Sequence, residues 1–472
     1  SRIWPRPKME VLQRTANRGS ISTGYEIPGS IKFEEDNLEG MYAQPTAAGN
    51  RRTWTASLWF KRTELTTSGH YHSLIVSKVG SETGSVYITP TDEIICDVGY
   101  GGTRNRQQTQ MKFRDPSAWY HIVWRVDTTQ STAADRHRLY VNGVLQEWTT
   151  IDGYPDQNFE SYWNNNIPIY VGIYGTYNNY GACAYIAEIH HTDGISNAPT
   201  EFGEFDEDSG IWKPIKYEGN YGAQGFYLPF DDVSAIGKNG HGNDVNFTLQ
   251  NISAADYSTD TPTNNFCTWS SLWNYASYPT ISEGGTKVRI ADSTNEGAKA
   301  TIGLTNGKWY WEAKPFYTLG AQQIGIQTDG DSNIYANANS TANNYTMWIN
   351  PIGYYYTYAD GQTESADQGW DLTADDWLGI ALDMDSSTQT IKYYKNGSLI
   401  QSRDLISEMQ GRTVFPFLMN YENRSWDINF GGYTINTISS AASDGNGYGT
   451  FEYAPPSGYY AICTKNLAEY GG

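Results

Sequence analysis

The chain has 472 residues, with 47 Gly, 37 Tyr and 16 Trp, 18% charged residues and a formal net charge of −20. This length exceeds a single β-sandwich and suits two or three domains. The acidity excludes a phosphate-backbone partner, because nucleic-acid binding leans on Lys and Arg. No apolar run is long enough to span a membrane, and the opening SRIWPRPKME lacks the apolar core of a signal peptide, so neither membrane insertion nor secretion is expected.

Residues 1–28 are basic, polar and broken by Pro5, Pro7 and Pro28, the pattern of an extended arm. Arg2, Arg6, Lys8, Arg14 and Arg18 face only Glu10, so residues 1–18 carry a net +4 and the remainder −24. With Trp4, these cations are the candidate anchors of the arm on an acidic surface. That surface belongs either to a second copy in a homo-oligomer or to another protein.

Short alternating runs recur across residues 29–235: TWTASLWFKR, HSLIVSKV, SVYITP, EIICDVG, AWYHIVWRVD, RLYVNGVLQEW, IPIYVGIYG, AYIAEIHHTD and GFYLPFDD. Gly, Asn, Asp and Thr clusters separate them, and the period of two predicts an antiparallel β-sandwich. Residues 236–280 lose that period and read as a connector wrapped on its neighbours. Strand patterns resume over residues 281–432 with KVRIAD, GKWYWEAKPF, QQIGIQTD, NYTMWIN, GYYYTYADG, WLGIALDMD, TIKYYKNGSLI, VFPFLMNY and SWDINFGG, predicting a second sandwich. Residues 433–472 hold one more apolar segment, expected to pack back onto a domain. Each sandwich carries one Asn-Gly hairpin signal, Asn142-Gly143 and Asn396-Gly397. Asn-Gly tolerates the positive φ that a two-residue hairpin loop demands at both centres.

SLWFKR with DPSAWYHIVWRVDTT and HRLYVNGVLQ resembles the laminin G-like, concanavalin A-like sandwich. GKWYWEAK, DWLGIALDMDSSTQTIKYYKNG and VFPFLMNYENRSWDINFGG stand in the order of a SPRY domain. The tandem pair, with NRGSISTGYEIP before it and YAPPSGYYAICTKNL after it, is similar to virion proteins of marine tailed bacteriophages. The resemblance implies an all-β chain of two concanavalin-like sandwiches. It implies a non-enzymatic tail- or capsid-fibre or decoration component, made in the host cytoplasm and resident in the virion, with other virion proteins as partners and a host-surface glycan as candidate ligand. The alternative is a carbohydrate-active enzyme or its binding module.

Glucanases of such folds place carboxylates on one strand face as Glu-x-Asp-x-Glu. The nearest match, Glu204-Phe205-Asp206-Glu207-Asp208, ends in Asp beside Gly203 and Gly210 and reads as an acidic turn. His70 and His72 have ligand spacing without an evident third ligand, and His190 and His191 point to opposite faces of a strand. The resemblance assigns His121 a structural place. Asp329 and Asp331, and Asp383 and Asp385, read as turn caps, since neither pair supplies a full Ca²⁺ loop. Cys96, Cys183, Cys267 and Cys463 stand far apart and read as reduced thiols. No metal, cofactor or catalytic residue is therefore expected.

Binding is the better-supported chemistry. Tyr and Trp give rigid flat contact area while Asn, Ser and Gly adapt their hydrogen bonds. YGTYNNYGA offers Tyr174, Tyr177 and Tyr180; WSSLWNYASY offers Trp273 and Tyr275; NPIGYYYTYADGQ offers Tyr354, Tyr355, Tyr356 and Tyr358. The competing account places alternate aromatics in the core and the rest between subunits.

Overall fold

A computed structural model of the chain describes residues 24–65, 69–80, 82–99, 105–150, 152–175, 180–242, 245–272, 280–289, 295–316, 322–328, 345–359, 362–367, 370–421 and 426–471. The two Asn-Gly steps form the expected turns. Asn142 and Gly143 have φ of 47° and 77°, and Asn396 and Gly397 have 48° and 78°. Positive φ at both centres matches the right-handed twist of the strands they join. The first turn joins His137–Val141 to Val144–Leu145, and the second joins Thr390–Lys395 to Ser398–Asp404.

The chain divides into two units, Ser1–Thr263 and Asn264–Gly472. In the first, one antiparallel sheet runs in the order Val144–Leu145, His137–Val141, Trp119–Asp127, Thr53–Arg62, Ala184–Asp193, Ser30–Phe33, Tyr257–Ser258. The other runs Trp148–Thr150, Arg106–Lys112, Glu93–Asp97, Glu82–Ile88, His72–Val79, Ile169–Val171, Gly40–Ala43, Thr248–Gln250. Trp54, Leu58, Ile122, Trp124 and Ile186 of the first sheet share a core with Met41, Ile75, Val86, Cys96, Ile169 and Val171 of the second. These are the inward positions that the alternation marks.

In the second unit the hairpin sheet runs Thr280–Ser282, Lys287–Arg289, Trp426–Asn429, Lys308–Pro315, Leu378–Asp383, Thr390–Lys395, Ser398–Asp404. The facing sheet runs Asn295–Lys299, Val414–Tyr421, Gln322–Thr328, Thr346–Ile349, Tyr354–Ala359, Gln362–Asp367. Trp309, Trp311, Ile380, Leu382 and Ile391 meet Ile324, Ile326, Met347, Ile349 and Leu418 in its core. The architecture is thus all-β, with concanavalin-like antiparallel sandwiches. Among the described residues the one α-helix is Thr464–Tyr470.

Several polar strands escape the alternation rule. Asn295–Lys299 and Gln362–Asp367 form the two edges of their sheet, where polar residues discourage edge-to-edge association. Arg106–Lys112 lies one strand in from an edge, with Gln107 and Thr109 buried.

The stretch 236–280 contributes to both units. Thr248–Gln250 pairs with Gly40–Ala43, and Tyr257–Ser258 with Ser30–Phe33. Asp260 holds that closing segment through the buried Lys61 ammonium at 2.7 Å and the Trp119 indole at 3.0 Å. In the second unit, Cys267 and Trp269 lie in the core. Within 433–472, Tyr460–Ala461 pairs parallel to Lys308–Pro315. The buried Glu312 carboxylate of that strand accepts the backbone N–H groups of Glu452 and Tyr453, each at 2.8 Å.

Candidate functional site

Register determines which side chains share the outer face of the second sheet of the first unit. Tyr42 pairs with Tyr170, Tyr170 with Val76, Val76 with Ser85, Ser85 with Asp97, and Asp97 with Arg106. This rung crosses six strands, and residues two along a strand return to the same face. Lys78, Tyr87 and Ile95 therefore join it, opposite the core-facing Ile75, Val86 and Cys96. Val76 and Ile95 are buried and form its apolar floor.

On this floor stands a group of half-buried tyrosines. Tyr71 and Tyr180 stack with centroids 5.3 Å apart and planes 11° from parallel. Tyr174 lies 5.2 Å from Tyr180, and Tyr87 meets Tyr71 edge-on at 5.6 Å. Lys78 Nζ sits 4.6 Å from the Tyr174 ring centroid, in cation–π range. Arg106 reaches the Tyr87 hydroxyl and pairs with Asp152 at 3.3 Å. Burial raises the Tyr87 phenol above its ordinary value and lowers the Lys78 ammonium. Across the rung, Tyr42 and Tyr170 add a ring pair at 6.0 Å, with Tyr42 39% exposed. The result is flat aromatic area rimmed by a cation, a guanidinium, a carboxylate and phenol hydroxyls. That combination gives an apolar platform with fixed polar groups for orienting a ligand.

Of the residues singled out in the sequence, Tyr174 and Tyr180 are brought together here. Tyr177, Trp273, Tyr275 and the arm residues Arg2, Trp4, Arg6, Lys8, Arg14 and Arg18 lie outside the described residues, as do Asp329 and Asp331. Tyr354 is half-buried at the start of Tyr354–Ala359. Tyr355, Tyr356 and Tyr358 belong to that strand by backbone register, paired with Ala366, Ser365 and Thr363, and their side chains lie outside the description. Sequence reasoning missed Tyr71, Tyr87, Lys78 and Arg106. One signal for Tyr87 was present, since it alternates with the core residues Val86 and Ile88 and must point away from them.

The acidic run has a structural occupation. Glu204 lies in the strand Gly203–Phe205 rather than in a loop, paired with Trp212–Pro214. Lys213 bridges Glu204 and Asp206 at 3.3 and 3.2 Å, and Asp206 accepts the N–H groups of Asp208 and Ser209 as a turn cap. Asp383 caps its turn by accepting the N–H groups of Asp385 and Ser386 and pairs with Lys308 at 2.9 Å. His121 is buried, stacked 4.6 Å from Trp59. All four cysteines are buried and none is in a disulfide. The fold brings Glu35 and Cys183 to His72, with ligand-type atoms of the three within 4.8 Å of one another, a neighbourhood that the His70–His72 spacing did not reveal.

The first unit has the laminin G-like, concanavalin A-like lectin fold. Residues 39–180, which contain the whole tyrosine face, match the Concanavalin A-like lectin/glucanases superfamily. Among solved structures, the chain is similar to domains LG4-5 of the mouse laminin alpha1 chain, at 8% identity and TM-score 0.29, over 92% of this chain and 96% of that one. It is similar to the SPRY domain of human HERC1, at 17% identity and TM-score 0.27, over 34% of this chain and 96% of that one. A candidate carbohydrate binding protein from Bacteroides ovatus is similar at 12% identity and TM-score 0.30, over 48% of this chain and 61% of that one. No curated protein matches the chain.

Proposed function

We propose that this chain is a non-catalytic binding protein of a bacteriophage virion, and that the tyrosine face of its first sandwich takes a host-surface glycan. The carrying observation is the Tyr71–Tyr180 stack beside Tyr174, Lys78 and Arg106 on the face of the second sheet that points away from the core. A sugar ring offers an apolar C–H face to stack on tyrosine and hydroxyls for the charged rim. The virion assignment is supported by the tandem laminin G-like and SPRY-like pattern, and by the net +4 of residues 1–18 against an otherwise acidic chain. That basic arm docks the protein on a second copy or another virion protein.

The test is binding of the full chain to a host-derived glycan array, wild type against Tyr180→Ala. Capture of a discrete glycan set, weakened at least about tenfold by the substitution, a loss of roughly 1.4 kcal/mol, supports the reading. Glycan capture that Tyr180→Ala leaves unchanged removes this face from the function. The virion assignment is tested separately, by locating the chain in intact particles with labelled antibody and electron microscopy.

A further inference from the structure

One end of the first sandwich gathers groups that the tyrosine face does not use. Phe33 pairs with Ala184 in adjacent antiparallel strands, so Glu34 and Glu35, leaving one strand, meet Cys183, entering the other. Cys183 Sγ lies 3.5 Å from Glu34 Oε1. A Cβ at Gly181 would stand 2.8 Å from the Glu35 Cα, so only glycine permits this close approach. His72 opens the strand His72–Val79 from the facing sheet. Ligand atoms of Glu35, His72 and Cys183 all fall within 4.8 Å of one another, and all three residues are buried.

The His72 ring gives a second, independent observation. It is 3% exposed, yet its Nδ1 has no hydrogen-bond partner. Its Nε2 stands 3.9 Å from the Glu35 carboxylate, beyond hydrogen-bond reach. A buried imidazole in this state forfeits interactions it would have in water. His70 stands at the exposed side, its Nδ1 3.1 Å from both oxygens of Glu35.

We propose that Glu35, His72 and Cys183 hold a divalent transition-metal ion, with the fourth position facing His70. One carboxylate, one imidazole and one thiolate form a donor set that suits Zn²⁺, whereas Ca²⁺ and Mg²⁺ require oxygen ligands throughout. Binding releases the Cys183 proton to solvent as the sulfur–metal bond forms. The site is a structural staple. Tyr71 stands between His70 and His72, and Tyr180 three residues before Cys183, so the ion would fix both rings of the stacked pair. That consequence rests on the proposed glycan role; the metal site itself does not.

The experiment titrates the metal-free full chain with Co²⁺ and reads the near-ultraviolet thiolate-to-cobalt charge-transfer band, with Zn²⁺ as competitor. One equivalent bound, a band that Zn²⁺ abolishes, and its loss in Cys183→Ser support the site. A wild-type chain that develops no band overturns it, as does a band that survives in folded Cys183→Ser. Should Cys183→Ser fail to fold, a chain carrying C96S, C267S and C463S decides. Its band persists if Cys183 is the ligand and disappears if another cysteine is. Glycan binding is measured apart from this titration, so either proposal can fail alone.

Discussion

The side-chain oxygen of Asn142 accepts the backbone N–H of His121 at 2.8 Å, and the Asn142 N–H returns to the His121 carbonyl at 2.9 Å. Asn396 makes the same pair of bonds with Trp377, both at 2.9 Å. Each hairpin asparagine therefore supplies the positive φ of its turn and also extends the ladder onto the neighbouring strand. Asn142→Ala should destabilise the first unit by about 1–3 kcal/mol, combining a strained backbone with an unpaired N–H. Asn142→Gly keeps the φ and should cost less. Urea unfolding followed by tryptophan fluorescence measures both, and an alanine variant as stable as wild type would refute the double role.

The hairpins were legible because Asn-Gly is a local requirement. The central strands were legible because the core-facing positions of TWTASLWFKR and GKWYWEAKPF, Trp54, Leu58 and Phe60 in one and Trp309, Trp311 and Ala313 in the other, recur with a period of two, although nearly every residue of both strands is buried. The polar strands Asn295–Lys299 and Gln362–Asp367 were not, since an edge strand is chosen for what it prevents rather than what it buries. Tyr174 and Tyr180 could be picked out of a Tyr/Asn/Gly-rich loop. Their partner Tyr71 could not, and Tyr87 betrayed only its direction away from the core, because what joins them is a strand register spanning residues far apart in the chain. The same applies to His72, whose companions Glu35 and Cys183 arrive through the Phe33–Ala184 pairing.

Gly172 links the core to the tyrosine face. Its φ is 74°, and a Cβ there would fall 2.1 Å from the Phe33 ring, a core residue that cannot yield. Its carbonyl accepts the Ala182 N–H at 2.7 Å, tying together the chain on either side of Tyr174 and Tyr180. Gly172→Ala should cost the first unit roughly 2–4 kcal/mol through strain and overpacking. Calorimetry should show the first unit's transition falling by several degrees while that of the second stays in place. A single unchanged transition profile would show that the site relaxes at little cost.

Tryptophan indoles donate to imidazole nitrogens at three buried places: Trp212 to His121 at 3.0 Å, Trp124 to His137 at 2.8 Å and Trp163 to His191 at 3.3 Å. An indole N–H can only donate, so each imidazole must stay neutral at that nitrogen. Burial accordingly pulls His121 and His137 down to about 3 and His191 to about 4. The folded values lie below the unfolded value near 6.5, so this stability is complete above about pH 6.5 and is lost as pH falls toward 3–4. Each histidine adds up to about 1.4 kcal/mol per pH unit in that window. All seven histidines lie before Asn264, so acidification should lower the first unit's melting by this route and leave the second without a histidine contribution. Melting curves between pH 7 and 4 test this, with His137→Gln expected to reduce the proton uptake on unfolding by up to one. A first unit whose midpoint ignores pH across that range would contradict the assignment.

The arm carries the last prediction. Four net positive charges on a proline-punctuated stretch are poor material for an apolar core, whereas the rest of the chain carries −24, the complement that the proposed docking requires of a second copy. Exposed ion pairs each contribute only about 0–1 kcal/mol and are screened by salt, so docking must use several of Arg2, Arg6, Lys8, Arg14 and Arg18 at once, with Trp4 as an apolar anchor. Removing residues 1–18 should leave the melting of both units nearly unchanged. The same deletion should abolish self-association or incorporation into particles. Replacing the five cations together with Gln should reproduce that loss, and raising the salt concentration should weaken wild-type association in the same direction. Light scattering and particle-incorporation assays provide the readout. A truncated chain that associates and assembles as the intact one does would rule out the anchoring role.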